Sequence, residues 1–103
     1  APSLVQGLNQ VRNLPQFYIT ISMESLSNPQ TVWQLNHEGR LDEIMERVTE
    51  RLTFFVNRNQ DERVVIRNFL DALEESSEVL EEVDVDLSER YGNFIEQIRQ
   101  LAG

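Results

Sequence analysis

The sequence predicts a mainly α-helical fold, a small bundle of four to five helices with one short candidate strand near residues 17–23. Three observations predict it. Apolar residues recur every three to four positions from Leu41 to Leu101, the period of helices that each hide one face. Helix-starting Ser, Asn and Asp residues and a helix-ending glycine punctuate that pattern. Only one stretch alternates with the period of a strand. The 103 residues fit one helical domain over 1–103, and 40% apolar with 26% charged residues is a folded rather than a disordered balance. Because the chain opens on Ala1 and stops at Gly103 directly after an amphipathic segment, it reads as a domain cut from a longer protein.

Leu4, Leu8 and Val11 stand at i, i+4, i+7 behind Ser3, which predicts a short helix weakened by Gly7 and ended by Pro15. Phe17, Ile19, Ile21 and Met23 then alternate with Tyr18, Thr20 and Ser22. That pattern predicts a half-buried strand; the alternative is an extended or helical stretch packed on helices. A lone strand leaves its backbone groups unpaired, so pairing with its own copy in a homodimer is expected. Ser27 or Asn28 caps the next helix, with Pro29 in its first turn and Gln30 three residues after Ser27. This helix carries Val32, Trp33 and Leu35 and stops near Gly39.

The clearest stripe follows: Leu41, Ile44, Met45, Val48, Leu52, Phe55 and Val56, with Glu43 placed to pair with Arg47. Asn57, Arg58 and Asn59 form a turn, and Asn59 with Glu62 resembles a capping box. The next helix shows Val65, Ile66, Phe69, Leu70, Leu73 and Leu80, thinning at Ser76-Ser77, where a bend or frayed half is expected. Asp86 with Glu89 starts the last helix, whose face is Leu87, Tyr91, Phe94, Ile95, Ile98 and Leu101. Gly92 costs it about 1 kcal/mol relative to alanine, which the regular stripe outweighs. The short turn between the two central helices predicts that they pack as an antiparallel hairpin.

The net charge of −9 is concentrated. Residues 71–89 hold nine of the 18 acids and no base, and the other nine acids balance the nine cations elsewhere. Such a field repels phosphate backbones and anionic membranes and attracts basic partners. All the cations are arginine; the absence of lysine fits either a protein that avoids lysine modification or chance in a short chain. No apolar run approaches the ~20 residues that span a bilayer, and no leader pattern opens the chain. Without cysteine or an Asn-X-Ser/Thr acceptor, the expectation is an intracellular protein, cytoplasmic or nuclear.

The glycines at 7, 39, 92 and 103 form no phosphate-cradling loop, and one histidine without cysteine makes no zinc site. His37 stands at a helix end, where a cationic ring suits the helix dipole better than general-base work. Asp84-X-Asp86-X-Ser88 begins like a calcium loop, but Glu89 and Ile95 occupy the positions that need glycine and glutamate. Carboxylate pairs are plentiful, yet any acidic helix supplies them. No enzyme activity and no cofactor or metal are expected.

The expected function is a non-enzymatic protein–protein interaction or dimerisation module. Its candidate partner-binding residues are the acids Glu74, Glu75, Glu78, Glu81, Glu82 and Asp84, with Trp33, Phe54 and Tyr91 as aromatic anchors. The anchors have a competing role in the monomer core, which is the expected place of Trp33. Phe54 lies off its helix's stripe, and Val64 and Val79 widen theirs, as on helices that pack on two sides. An alternative comes from layout. Strand 17–23, helix 29–37, Gly39-Arg40 and helix 41–56 follow an order that resembles the ribbon–helix–helix transcription factors. That resemblance implies a dimer joined through the strand and DNA read by its outward residues, here Tyr18, Thr20 and Ser22. The family commonly uses basic or amide side chains there, and no arginine lies between Arg12 and Arg40.

Overall fold

The apolar stripes become five helices: α1 (Ile19–Leu26), α2 (Pro29–His37), α3 (Leu41–Arg58), α4 (Glu62–Val83) and α5 (Val85–Ala102). The structure, a computed structural model, describes residues 18–59 and 61–103. The expected helix around Leu4, Leu8 and Val11, and Phe17 of the candidate strand, lie outside the described residues. Among the described residues there is no strand, and no helix is long and apolar enough to cross a membrane.

The expected strand is therefore corrected to helix from Ile19 onward. Ile19, Ser22, Met23 and Leu26 share one helical face, and the small Ser22 and Ser25 lie buried in it with Leu26. Ser22 is tolerated inside because its hydroxyl donates to the Tyr18 carbonyl at 3.0 Å. The alternation of Ile19 and Ile21 with polar neighbours was thus compatible with either period, and packing on α3 decided it. The ribbon of the ribbon–helix–helix layout is absent from these residues, and Ser22 points inward. The unpaired strand was the ground for a homodimer, and that ground falls away.

Local chemistry sets the other boundaries. Asn28, rather than Ser27, caps α2, its side chain accepting from Gln30 and Thr31 N–H at 2.9 and 3.3 Å. Gly39 ends α2 at φ 72°, while Gly39 and Arg40 N–H donate back to the Asn36 and Leu35 carbonyls, a Schellman closure that needs the left-handed residue. Glu43 pairs with Arg47 at 3.1 Å as the spacing predicts. Asn59 makes a turn, accepting from Asp61 N–H at 3.0 Å, instead of the expected capping box. Asp84 caps α5 by accepting from Leu87 N–H at 3.1 Å, two residues before the expected start at Asp86.

Two packing expectations are corrected. The close hairpin is α4 with α5, joined through Asp84 alone; α3 and α4 touch far less. The faces decide this, since α3 spreads its contacts over α1, α2 and α5 as well as α4. Nor does α4 bend or fray at Ser76-Ser77: it is one continuous helix of 22 residues, and Ser76 is buried. Its small side chain leaves room for a larger one from α5. That side chain is Tyr91, which is fully buried and whose hydroxyl donates to the Leu26 carbonyl at 2.5 Å. Phe94 lies beside it and meets Phe69 edge to face at 6.2 Å. The phenol so ties the end of α1 to the middle of the bundle.

Candidate functional site

Along α4 the helix period separates two faces. Ile66, Phe69, Leu73, Ser76 and Leu80 turn into the core. Val79 and Val83, one turn apart, stand on the edge of that face and stay 49% and 59% exposed. Across from them α2 presents Trp33, which the sequence placed in the core but which is 44% exposed. α2 buries Thr31, Val32 and Leu35, and Trp33 follows Val32 by about 100° around the helix, which carries it off the buried face. Its indole stacks on the His37 ring at 5.4 Å with the planes 5° apart.

Between the two helices lies an apolar cleft of about 250 Å³, lined by Pro29, Gln30 and Trp33 on α2 and by Val79, Leu80 and Val83 on α4. It falls below the roughly 300–1,000 Å³ usual for small-molecule and cofactor sites. Its scale suits one or two apolar side chains of a partner. Sequence reasoning singled out Trp33 and Val79 but missed Pro29, Leu80 and Val83; the repeat of valine four residues after Val79 was the available signal.

The acids divide by what they touch. Glu75 and Glu82, the i−4 and i+3 neighbours of Val79, stand beside the α4 wall of the cleft, whereas Glu78, one residue before Val79, is turned about 100° from it toward the side of Glu74. All are exposed, and none has an ion pair among the described residues. Glu74 faces the other way and pairs with Arg99 of α5 at 2.7 Å, and Glu81, two turns on, lies on that same side. Asp84 serves as the cap of α5. Tyr91 is corrected from surface anchor to core residue. Phe54 is 50% exposed, but it sits on α3 against Phe55 with the Arg58 guanidinium over its ring at 5.4 Å, and it does not line the cleft. The structure thus brings together Trp33, Glu75 and Glu82 and leaves the other candidates elsewhere.

This concentration of acid works against the helix that carries it. Glu78 stands at i±3 or i±4 from Glu74, Glu75, Glu81 and Glu82, and each like-charge pair destabilises a helix by about 0.2–0.5 kcal/mol. No base occupies the last turn of α4, where the helix dipole favours one. Changing Glu75, Glu78 and Glu82 together to glutamine should therefore stabilise the fold by about 1–2 kcal/mol, a rise of roughly 5–10 °C in Tm. Thermal melts at low salt test this, and the gain should shrink as salt screens the parent's repulsion. An unchanged or lower Tm would mean that these acids have stabilising partners.

Among the described residues no group of three or more His, Asp or Glu side chains is arranged to hold a metal ion. No protein family, curated protein or solved structure matches the chain.

Proposed function

We propose that this domain is a non-enzymatic protein–protein interaction module that captures a basic segment of a partner on the edge of α4. One observation carries the reading: an exposed tryptophan and two exposed valines line an apolar cleft, and beside its α4 wall stand Glu75 and Glu82, exposed and without an ion pair among the described residues. Tryptophan is enriched among the residues that dominate binding energy. The glutamates supply attraction at a distance and orientation on contact, while the apolar side chains supply the area removed from water. The same charges disfavour DNA, RNA and anionic membranes.

The test uses an arginine-rich peptide, a duplex DNA, and two variants of equal charge change. One reverses Glu75 and Glu82 to arginine at the cleft, the other reverses the exposed Glu46 and Glu50 elsewhere. The expected result is salt-sensitive peptide binding that the first variant weakens by about tenfold or more and the second by much less, with no DNA binding by the parent. Equal weakening by both variants would show that net charge alone is felt, and the reading would be lost.

A further inference from the structure

A second depression of about 450 Å³ lies between α1 and the first half of α4, with Met23 and Ser27 on one wall and Val65 and Phe69 on the other. Ser27 closes α1 and Pro29 opens α2, so the two depressions lie on either side of the junction of those helices, with no lining residue in common, and both have α4 as their opposite wall. On α4, Val65 of one and Val79 of the other stand two heptads apart with Ala72 midway, so the three lie along one edge of the helix. Val83 extends it. From Val65 to Val83 this edge runs roughly 27 Å at 1.5 Å per residue.

The rims of the trough carry one sign of charge. Glu24 stands on the α1 side of the depression at Met23, and Glu75 and Glu82 stand on the α4 side of the Trp33 cleft. The arginines of α4 are turned elsewhere: Arg67 donates to the Ala102 carbonyl at 3.5 Å, and the Arg63 guanidinium lies beside Gly103. Helical walls keep their backbone groups paired internally, so the trough offers no edge on which an extended peptide could add a strand. It offers what an amphipathic helix needs, apolar depressions set along one edge of α4 over several turns.

We infer that the trough between α4 and the α1–α2 pair seats a single amphipathic helix of a partner protein, with an apolar stripe against Met23, Val65, Val79 and Trp33 and arginine or lysine flanking that stripe. The inference rests on the reading of the acidic edge as partner-facing and adds the shape and length of what it holds. A helix of about 18 residues spans the edge from end to end.

The probe is a synthetic helix of about that length with leucine at i, i+4, i+7, i+11 and i+14 and arginine on the flanks. Its control has the same composition with the stripe scrambled. Titrated into the full chain at moderate salt, the striped peptide should bind about tenfold or more tightly than the scrambled one and become helical on binding. Val65→Asp and Val79→Asp, at positions 48% and 49% exposed and therefore tolerant of change, should each weaken it by about tenfold or more while leaving helical content unaltered. Equal binding of the two peptides would overturn the helix while leaving the acidic docking face standing. Loss on Val79→Asp with none on Val65→Asp would confine the partner to the Trp33 cleft and overturn the trough. Self-association of the parent that Val79→Asp abolishes would put a second copy in the trough and also overturn the proposal. No binding of either peptide, even at low salt, would remove both this inference and the reading beneath it.

Discussion

Replacing Tyr91 with alanine is expected to destabilise the domain by about 4 kcal/mol, the largest loss of any single substitution considered in this bundle. The ring is fully buried between α1, α4 and α5, and no neighbouring chain segment can collapse into the space it leaves without moving a helix. For a domain whose total stability is about 5–15 kcal/mol, such a change leaves a marginal fold. Tyr91→Phe separates the hydroxyl from the ring. It keeps the volume but deprives the buried Leu26 carbonyl of its donor, at an expected cost of about 1–3 kcal/mol. Urea unfolding of both variants measures the two terms. Near-equal losses would mean that the hydrogen bond, not the packed ring, holds α1 in place. A Tyr91→Phe variant as stable as the parent would mean that Leu26 finds another donor. Because Leu26 immediately precedes the α1–α2 junction, Tyr91→Phe should also loosen the wall of the trough and weaken a ligand seated there.

The second large effect is an alkaline transition. Burial pushes the Tyr91 phenol up to about 12, with a small opposing effect from the neighbouring Ser76 hydroxyl. In the unfolded chain a tyrosine ionises near pH 10. The folded-state value lies above the unfolded one, so this contribution is fully present below about pH 10 and is lost as pH rises toward about 12. The difference corresponds to roughly 2–3 kcal/mol of stability. Phenolate absorbance and helical circular dichroism, followed together, should show one tyrosine ionising only as the helices melt. Tyr91→Phe should remove that linkage and flatten stability across the same interval. Ionisation of every tyrosine with the helices intact would contradict the burial.

How far the sequence foretold this architecture depends on how each helix divides its surface. Leu41 to Val56 was legible because its stripe is long and unbroken, and the six residues buried there are those the period names, Phe55 alone lying only half-buried. The last helix was legible for the same reason, apart from a cap two residues early at Asp84. α1 was misread because its inward face includes Ser22 and Ser25, small polar residues that look like surface until a neighbouring helix covers them. Ser76 misled in the same way, as a gap in the stripe that Tyr91 fills from across the core. Hairpin partners could not be read from loop length, since α3 and α4 each present apolar surface to more than one neighbour.

The proposed docking surface was half visible. The acidic run and the surplus of Val79 are sequence facts, but which acids border an apolar cleft depends on how α2 lies across α4. Trp33 shows the limit. Its neighbours Val32 and Leu35 are buried, and only the rotation of α2 against α4 decides that the indole faces out. Val65 likewise belonged to the predicted core and instead forms the exposed edge of the trough.

Trp33 is the sole tryptophan of the chain, and it sits where the ligand is placed, so its emission reports on the claim at first hand. Titration with the striped basic peptide should shift that emission to the blue and protect it from a soluble quencher, saturating at one peptide per chain. Saturable binding that leaves both the spectrum and the quenching of Trp33 unaltered would put the partner on another face and contradict the account.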